Sequence, residues 1–104
     1  MKTTVEELNK ALKEAGLEKA TDGIIFPWGF KIVDFEGKKA LRAMGPKEYK
    51  ESVKKETGKT LTDEQLNTPS CVLASGQCYS QGCSQVGGSC SMHYDNFWYC
   101  ICSY

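Results

Sequence analysis

The stretch Cys71-Val-Leu-Ala-Ser-Gly-Gln-Cys78-Tyr-Ser-Gln-Gly-Cys83-Ser-Gln-Val-Gly-Gly-Ser-Cys90, continuing through Ser-Met-His-Tyr-Asp-Asn-Phe-Trp-Tyr to Cys100-Ile-Cys102, decides how this chain is read. It holds all 6 cysteines of a 104-residue protein. From Thr68 onward there is no lysine or arginine, and Asp95 is the sole acidic residue. Everything before Thr68 is the reverse: no cysteine, all 13 basic residues and 12 of the 13 acidic ones. So sharp a shift in composition divides the chain into a charged front, residues 1–67, and a Cys-rich tail, residues 68–104.

The tail has few aliphatic side chains (Val72, Leu73, Val86, Ile101) among many Ser, Gly and Gln. By itself it cannot bury enough apolar surface to offset chain entropy of roughly 1–2 kcal/mol per ordered residue. It is therefore expected to be an irregular peptide shaped by covalent links through Cys71, Cys78, Cys83, Cys90, Cys100 and Cys102. Three chemistries fit the spacing Cys-x6-Cys-x4-Cys-x6-Cys-x9-Cys-x-Cys.

The first is three disulfides. Six cysteines allow 15 pairings, and spacing does not choose among them. Cys100 and Cys102 place both sulfurs on one face of a strand. The early loop lengths resemble those of knottins. A helix-plus-sheet defensin is disfavoured, because five residues from Cys78 to Cys83 rotate the second sulfur off the helical face of the first.

The second is thioether rings. Thr68, Ser75 and Ser80 each stand three residues before a cysteine, and a dehydrated hydroxyl residue is an acceptor for a thiol. The third is a metal. Cys90-Ser-Met-His93 has a ligand-like gap, and Cys78-x4-Cys83 is near the loose end of zinc spacing. Six thiols with one histidine exceed one tetrahedral site, however, so no metal or cofactor is assigned.

The front reads as small α+β. Thr4 and Glu7 have capping-box spacing ahead of Val5, Leu8, Leu12 and Ala15, and Gly16 stops that helix. Ile24-Ile25-Phe26, then Pro27-Trp28-Gly29, then Phe30 to Phe35 signal a hairpin. Glu36-Gly37 turns toward a third strand near Lys39 to Ala43. Gly45-Pro46 opens a helix that Gly58 ends, and Thr62 with Gln65 caps a short third one, with Leu61 stapled to Leu66. The fold class is thus α+β: a helix–antiparallel sheet–helix domain, followed by the cross-linked tail. No catalytic residue is expected, since one histidine with no paired base leaves nothing poised for nucleophilic work. Neither half is a basic stripe, so nucleic acid is not an expected partner. The first residues show no signal-peptide core behind Lys2. Tyr94 to Tyr99 is an aromatic patch, either a contact surface for a target or membrane interface, or a small core between the cross-links.

Leu61-Thr-Asp-Glu-Gln-Leu66 resembles the Leu-Ser-Asp-Glu-x-Leu helix that closes leaders of the nitrile-hydratase-like and nitrogen-fixation-type precursor families. Ala11-Leu-Lys-Glu-Ala-Gly-Leu17 is similar to a helix end in such leaders. The resemblance implies a precursor of a ribosomally made, enzymatically modified peptide. Its leader, 1–67, would dock on a modifying enzyme through Phe30, Ile32 and Phe35 of an added strand, together with Leu61 and Leu66. Export and protease machinery would be further partners, with synthesis in the cytoplasm and a lanthipeptide-like core, 68–104, secreted as an antimicrobial or signalling product. These leaders end in a double glycine after the closing helix. The Gly-Gly here, Gly87-Gly88, lies inside the tail, so a cut near Asn67 to Ser70 is preferred. The alternatives are a knottin-like secreted toxin, inhibitor or binding module with a pro-domain, and a zinc-binding module.

Overall fold

The computed structural model describes residues 2–103; Tyr104, the end of the expected tail, lies outside them. Helix α1 (Val5–Ala15) starts where Thr4 Oγ1 accepts the Glu7 amide at 3.2 Å, and ends at Gly16 in the left-handed region. Only Leu8 and Leu12 of its expected stripe are buried; Val5 is exposed. Strands β2 (Phe30–Phe35) and β3 (Lys38–Ala43) pair from Phe30↔Ala43 to Phe35↔Lys38. Their two-residue turn, Glu36-Gly37, has φ values of 51° and 79°, which suits the right-handed twist of a tight hairpin. Helix α2 (Pro46–Thr57) has Pro at its first position and a left-handed Gly58 cap. Helix α3 (Asp63–Asn67) carries the full Thr62–Gln65 capping box.

Ile24–Phe26 does not form a hairpin with β2. Strand β1 (Ile25–Phe26) pairs instead with β4 (Cys71–Ala74) in the tail, through Ile25↔Ala74 and Phe26↔Leu73. The turn over Pro27–Gly29 carries the chain from one sheet to another rather than back along itself.

The tail is richer in strands than its composition suggests: β4, β5 (Gln77–Ser80), β6 (Ser89–Tyr94) and β7 (Trp98–Ser103), with a 3₁₀ turn over Ser84–Val86. One sheet has the order β1-β4-β5 and the other β3-β2-β7-β6, all antiparallel. The tail gains this order because the front supplies the apolar partners it lacks. Leu8, Leu12, Phe26 and Phe30 form one core with Cys71, Leu73, Cys83, Met92 and Cys100. Met44, Tyr49, Val53 and Leu66 form a second with Phe97, Tyr99 and Ile101.

Strand β7 lies between the two cores. Trp98, Cys100 and Cys102 contribute to the first, while Tyr99 and Ile101 face the second, as strand alternation requires. The aromatic patch is therefore mostly interior, with Phe97 and Tyr99 buried and Tyr94 exposed. Among the described residues, no helix is long and apolar enough to cross a membrane.

Candidate functional site

All six sulfurs pair with one another. Cys71–Cys90 ties β4 to β6, and Cys78–Cys100 ties β5 to β7. Cys83–Cys102 ties the residue ahead of the 3₁₀ turn to β7. In chain order this is first to fourth, second to fifth and third to sixth. The Cα separations of 5.7–5.9 Å are ordinary for disulfides. The cross-links form one layer between the sheets: the sulfurs of Cys71, Cys83 and Cys90 all lie within 4.8 Å of one another. Gly88 borders this layer so closely that a β-carbon there would stand 2.8 Å from Cys102 Sγ and 2.9 Å from Cys83 Sγ.

The cross-links thus join sulfur to sulfur, and the hydroxyls of Thr68, Ser75 and Ser80 take no part in them. Thr68 caps the end of α3, and Ser75 occupies the β4–β5 turn with φ 49°. Ser80 Oγ accepts the Ser84 amide at 3.0 Å. The Cys90-x2-His93 spacing does not make a ligand pair either. Cys90 faces the disulfide layer, while His93 is on the opposite face of β6 beneath α2, its Nδ1 3.8 Å from Glu56. Its Nε2 is 3.1 Å from Ser91 Oγ. Burial, foremost, holds His93 below the ordinary imidazole range, against the pull of Glu56.

The front grips the tail by directional contacts as well as by burial. Tyr49 of α2 donates to the Cys100 carbonyl at 2.9 Å, and burial pushes its phenol up to about 12. Ser52 donates to Asp95 Oδ2 at 3.1 Å, while Lys55 approaches Oδ1 at 3.4 Å. The tail's single acid is thus bound by the front. Trp28 Nε1 donates to the Leu66 carbonyl at 3.0 Å, which seats α3 on the same core. Sequence marks Gly88 only as half of Gly87-Gly88 and Asp95 only as the tail's sole acid. Neither the contact of Gly88 with the sulfurs nor the bond of Asp95 to α2 is local enough to be read there.

The expected docking residues separate by location. Phe30 and Leu66 are core residues, Ile32 and Leu61 are half-buried, and Phe35 near the hairpin tip is 65% exposed. β2 meets β7 only at Phe30↔Trp98, so beyond Phe30 its second edge has no described strand partner. A cleft of about 350 Å³ opens between α2, α3 and β7, with Val53, Leu61, Pro69 and Ile101 in its lining. No protein-family model matches the chain, and neither a curated protein nor a solved structure matches it.

Proposed function

We propose that the chain is a disulfide-stapled binding module carried with its own pro-domain. One observation bears the reading: all three disulfides close within Cys71–Cys102. A cut in the Asn67–Ser70 connection therefore leaves no covalent bond between the front and the stapled segment. Each link closes a loop of 19 to 22 residues, which contributes about 3 kcal/mol by restricting the unfolded chain. These links would replace the order lost with Leu8, Leu12, Phe26 and Phe30.

The front would act twice. It supplies apolar partners while the disulfides form, and through α2 and α3 it covers Phe97, Tyr99 and Ile101. Release uncovers that aromatic face as the contact surface for a target, in an oxidising compartment where the links persist. The test is to place a protease site at Asn67–Ser70 in the oxidised protein and cut it. The released tail should keep three disulfides, separate from the front and bind a hydrophobic dye. A tail that scrambles its pairing, or halves that stay locked together with the face covered, would overturn the reading.

A second reading, the leader of an enzymatically modified precursor, is favoured by the hairpin. The exposed Phe35 and the open β2 edge suit strand addition to an enzyme's sheet. Co-expression with a modifying enzyme encoded beside the gene tests it, since one water lost per dehydrated hydroxyl would show in the intact mass. An unchanged mass would sink it.

A further inference from the structure

The disulfide layer brings together more sulfur than the oxidised protein needs at one point. Three sulfurs from two different links, Cys71, Cys83 and Cys90, lie mutually within 4.8 Å. A fourth, Cys102, is bonded to Cys83 and meets the same Gly88 backbone. Four thiolates around zinc at about 2.3 Å form a tetrahedron with edges of about 3.8 Å. Cys71 and Cys90, and Cys83 and Cys102, are bonded pairs, and reduction would let the sulfurs of each pair part toward that spacing without drawing on Cys78 or Cys100.

We propose that the reduced chain binds one zinc ion through Cys71, Cys83, Cys90 and Cys102, the same residues that form two disulfides on oxidation. Their backbones are held by strand pairing as well as by the sulfur bonds. Cys71 is on β4, Cys90 is on β6, Cys102 is on β7 and Cys83 precedes the 3₁₀ turn. The surroundings suit a structural metal: Cys71 and Cys83 are buried, while Cys90 and Cys102 are half-buried and give the ion a way in. His93 is excluded, since it faces the other side of β6. This set differs from the Cys78/Cys83 and Cys90/His93 spacings that sequence alone offers. Zinc here would hold the right four thiols together before oxidation and keep them from mispairing with Cys78 or Cys100.

The chemistry balances simply. A phosphine reductant opens each disulfide with one water, giving two thiols and a phosphine oxide. Zinc then displaces the four thiol protons to buffer. Reoxidation by a disulfide oxidant withdraws two electrons per link and releases the ion.

The test uses the full chain, reduced under exclusion of oxygen and titrated with cobalt(II), whose absorption reports coordination, and then with zinc. The proposal expects one ion per chain, a tetrahedral thiolate spectrum and displacement of cobalt by zinc. The double variant Cys78→Ser/Cys100→Ser should keep that spectrum, and Cys83→Ser and Cys90→Ser should each lose it. Zinc should also slow proteolysis of the reduced Cys78→Ser/Cys100→Ser chain, which a metal held by an unfolded peptide would not do. Absence of a tetrahedral spectrum, more than one ion per chain, or equal loss in all cysteine variants would overturn it.

Discussion

Gly29 lies against the backbone of Trp98 with no room for a side chain. A β-carbon on the glycine would overlap the Trp98 carbonyl oxygen and stand 2.8 Å from Tyr99 Cβ. Gly29 also has φ of +85°, a conformation that strains any residue with a side chain. The contact joins the start of β2 to the start of β7, so it fixes how the front meets the stapled tail. Gly29→Ala combines overlap with backbone strain and should cost about 3 kcal/mol or more. Gly58→Ala has the same kind of φ, +75°, but open space around it, and should cost only about 1 kcal/mol. Denaturant unfolding of the two variants checks the contrast; equal losses would mean the halves do not touch there.

Tyr49 reaches from α2 to the carbonyl of Cys100. Tyr49→Phe keeps the ring, including its edge contact with Tyr99, and removes one buried hydrogen bond. A loss of about 1 kcal/mol is expected, or roughly 4–8 °C in Tm for a chain of this size. Thermal unfolding under non-reducing conditions measures it.

His93 gives the fold a pH dependence. Its folded pKa lies below the unfolded value, so its contribution to stability is full above about pH 6.5 and declines as pH falls through that value. Acidification from about pH 7.5 to about pH 5.5 should lower the midpoint of denaturant unfolding, and His93→Gln should flatten that change. A wild-type midpoint unchanged over this range would contradict the burial of the imidazole.

Removing cross-links one pair at a time should cost about 3 kcal/mol each by loop entropy. Cys71→Ala/Cys90→Ala and Cys78→Ala/Cys100→Ala should cost about the same. Each pair joins one buried cysteine, Cys71 at 1% exposure or Cys100 at 2%, to one half-buried cysteine. Denaturant titration of the double variants checks it; a large difference between the two would contradict this placement.

The front was largely legible because its signals are local. Thr4, Gly16, Gly45-Pro46, Gly58 and Thr62 with Gln65 mark the helix ends, and Glu36-Gly37 marks the hairpin turn. What escaped was long-range. Ile25 and Phe26 look like the partner of β2, and nothing local says that they pair with Ala74 and Leu73. The tail looked too polar to order itself, and in the full chain Leu8, Leu12, Phe26 and Phe30 complete its core from the other half. The shared face of Cys100 and Cys102 was readable from alternation, whereas their partners, Cys78 and Cys83, were not.

The most direct measurement is mass spectrometry of the oxidised protein, intact and then as peptides cut without reduction. The account predicts a chain six hydrogens lighter than its reduced form, with peptides joined only as Cys71–Cys90, Cys78–Cys100 and Cys83–Cys102. A link that survives reductant with loss of water, a free thiol, or any other pairing would contradict it.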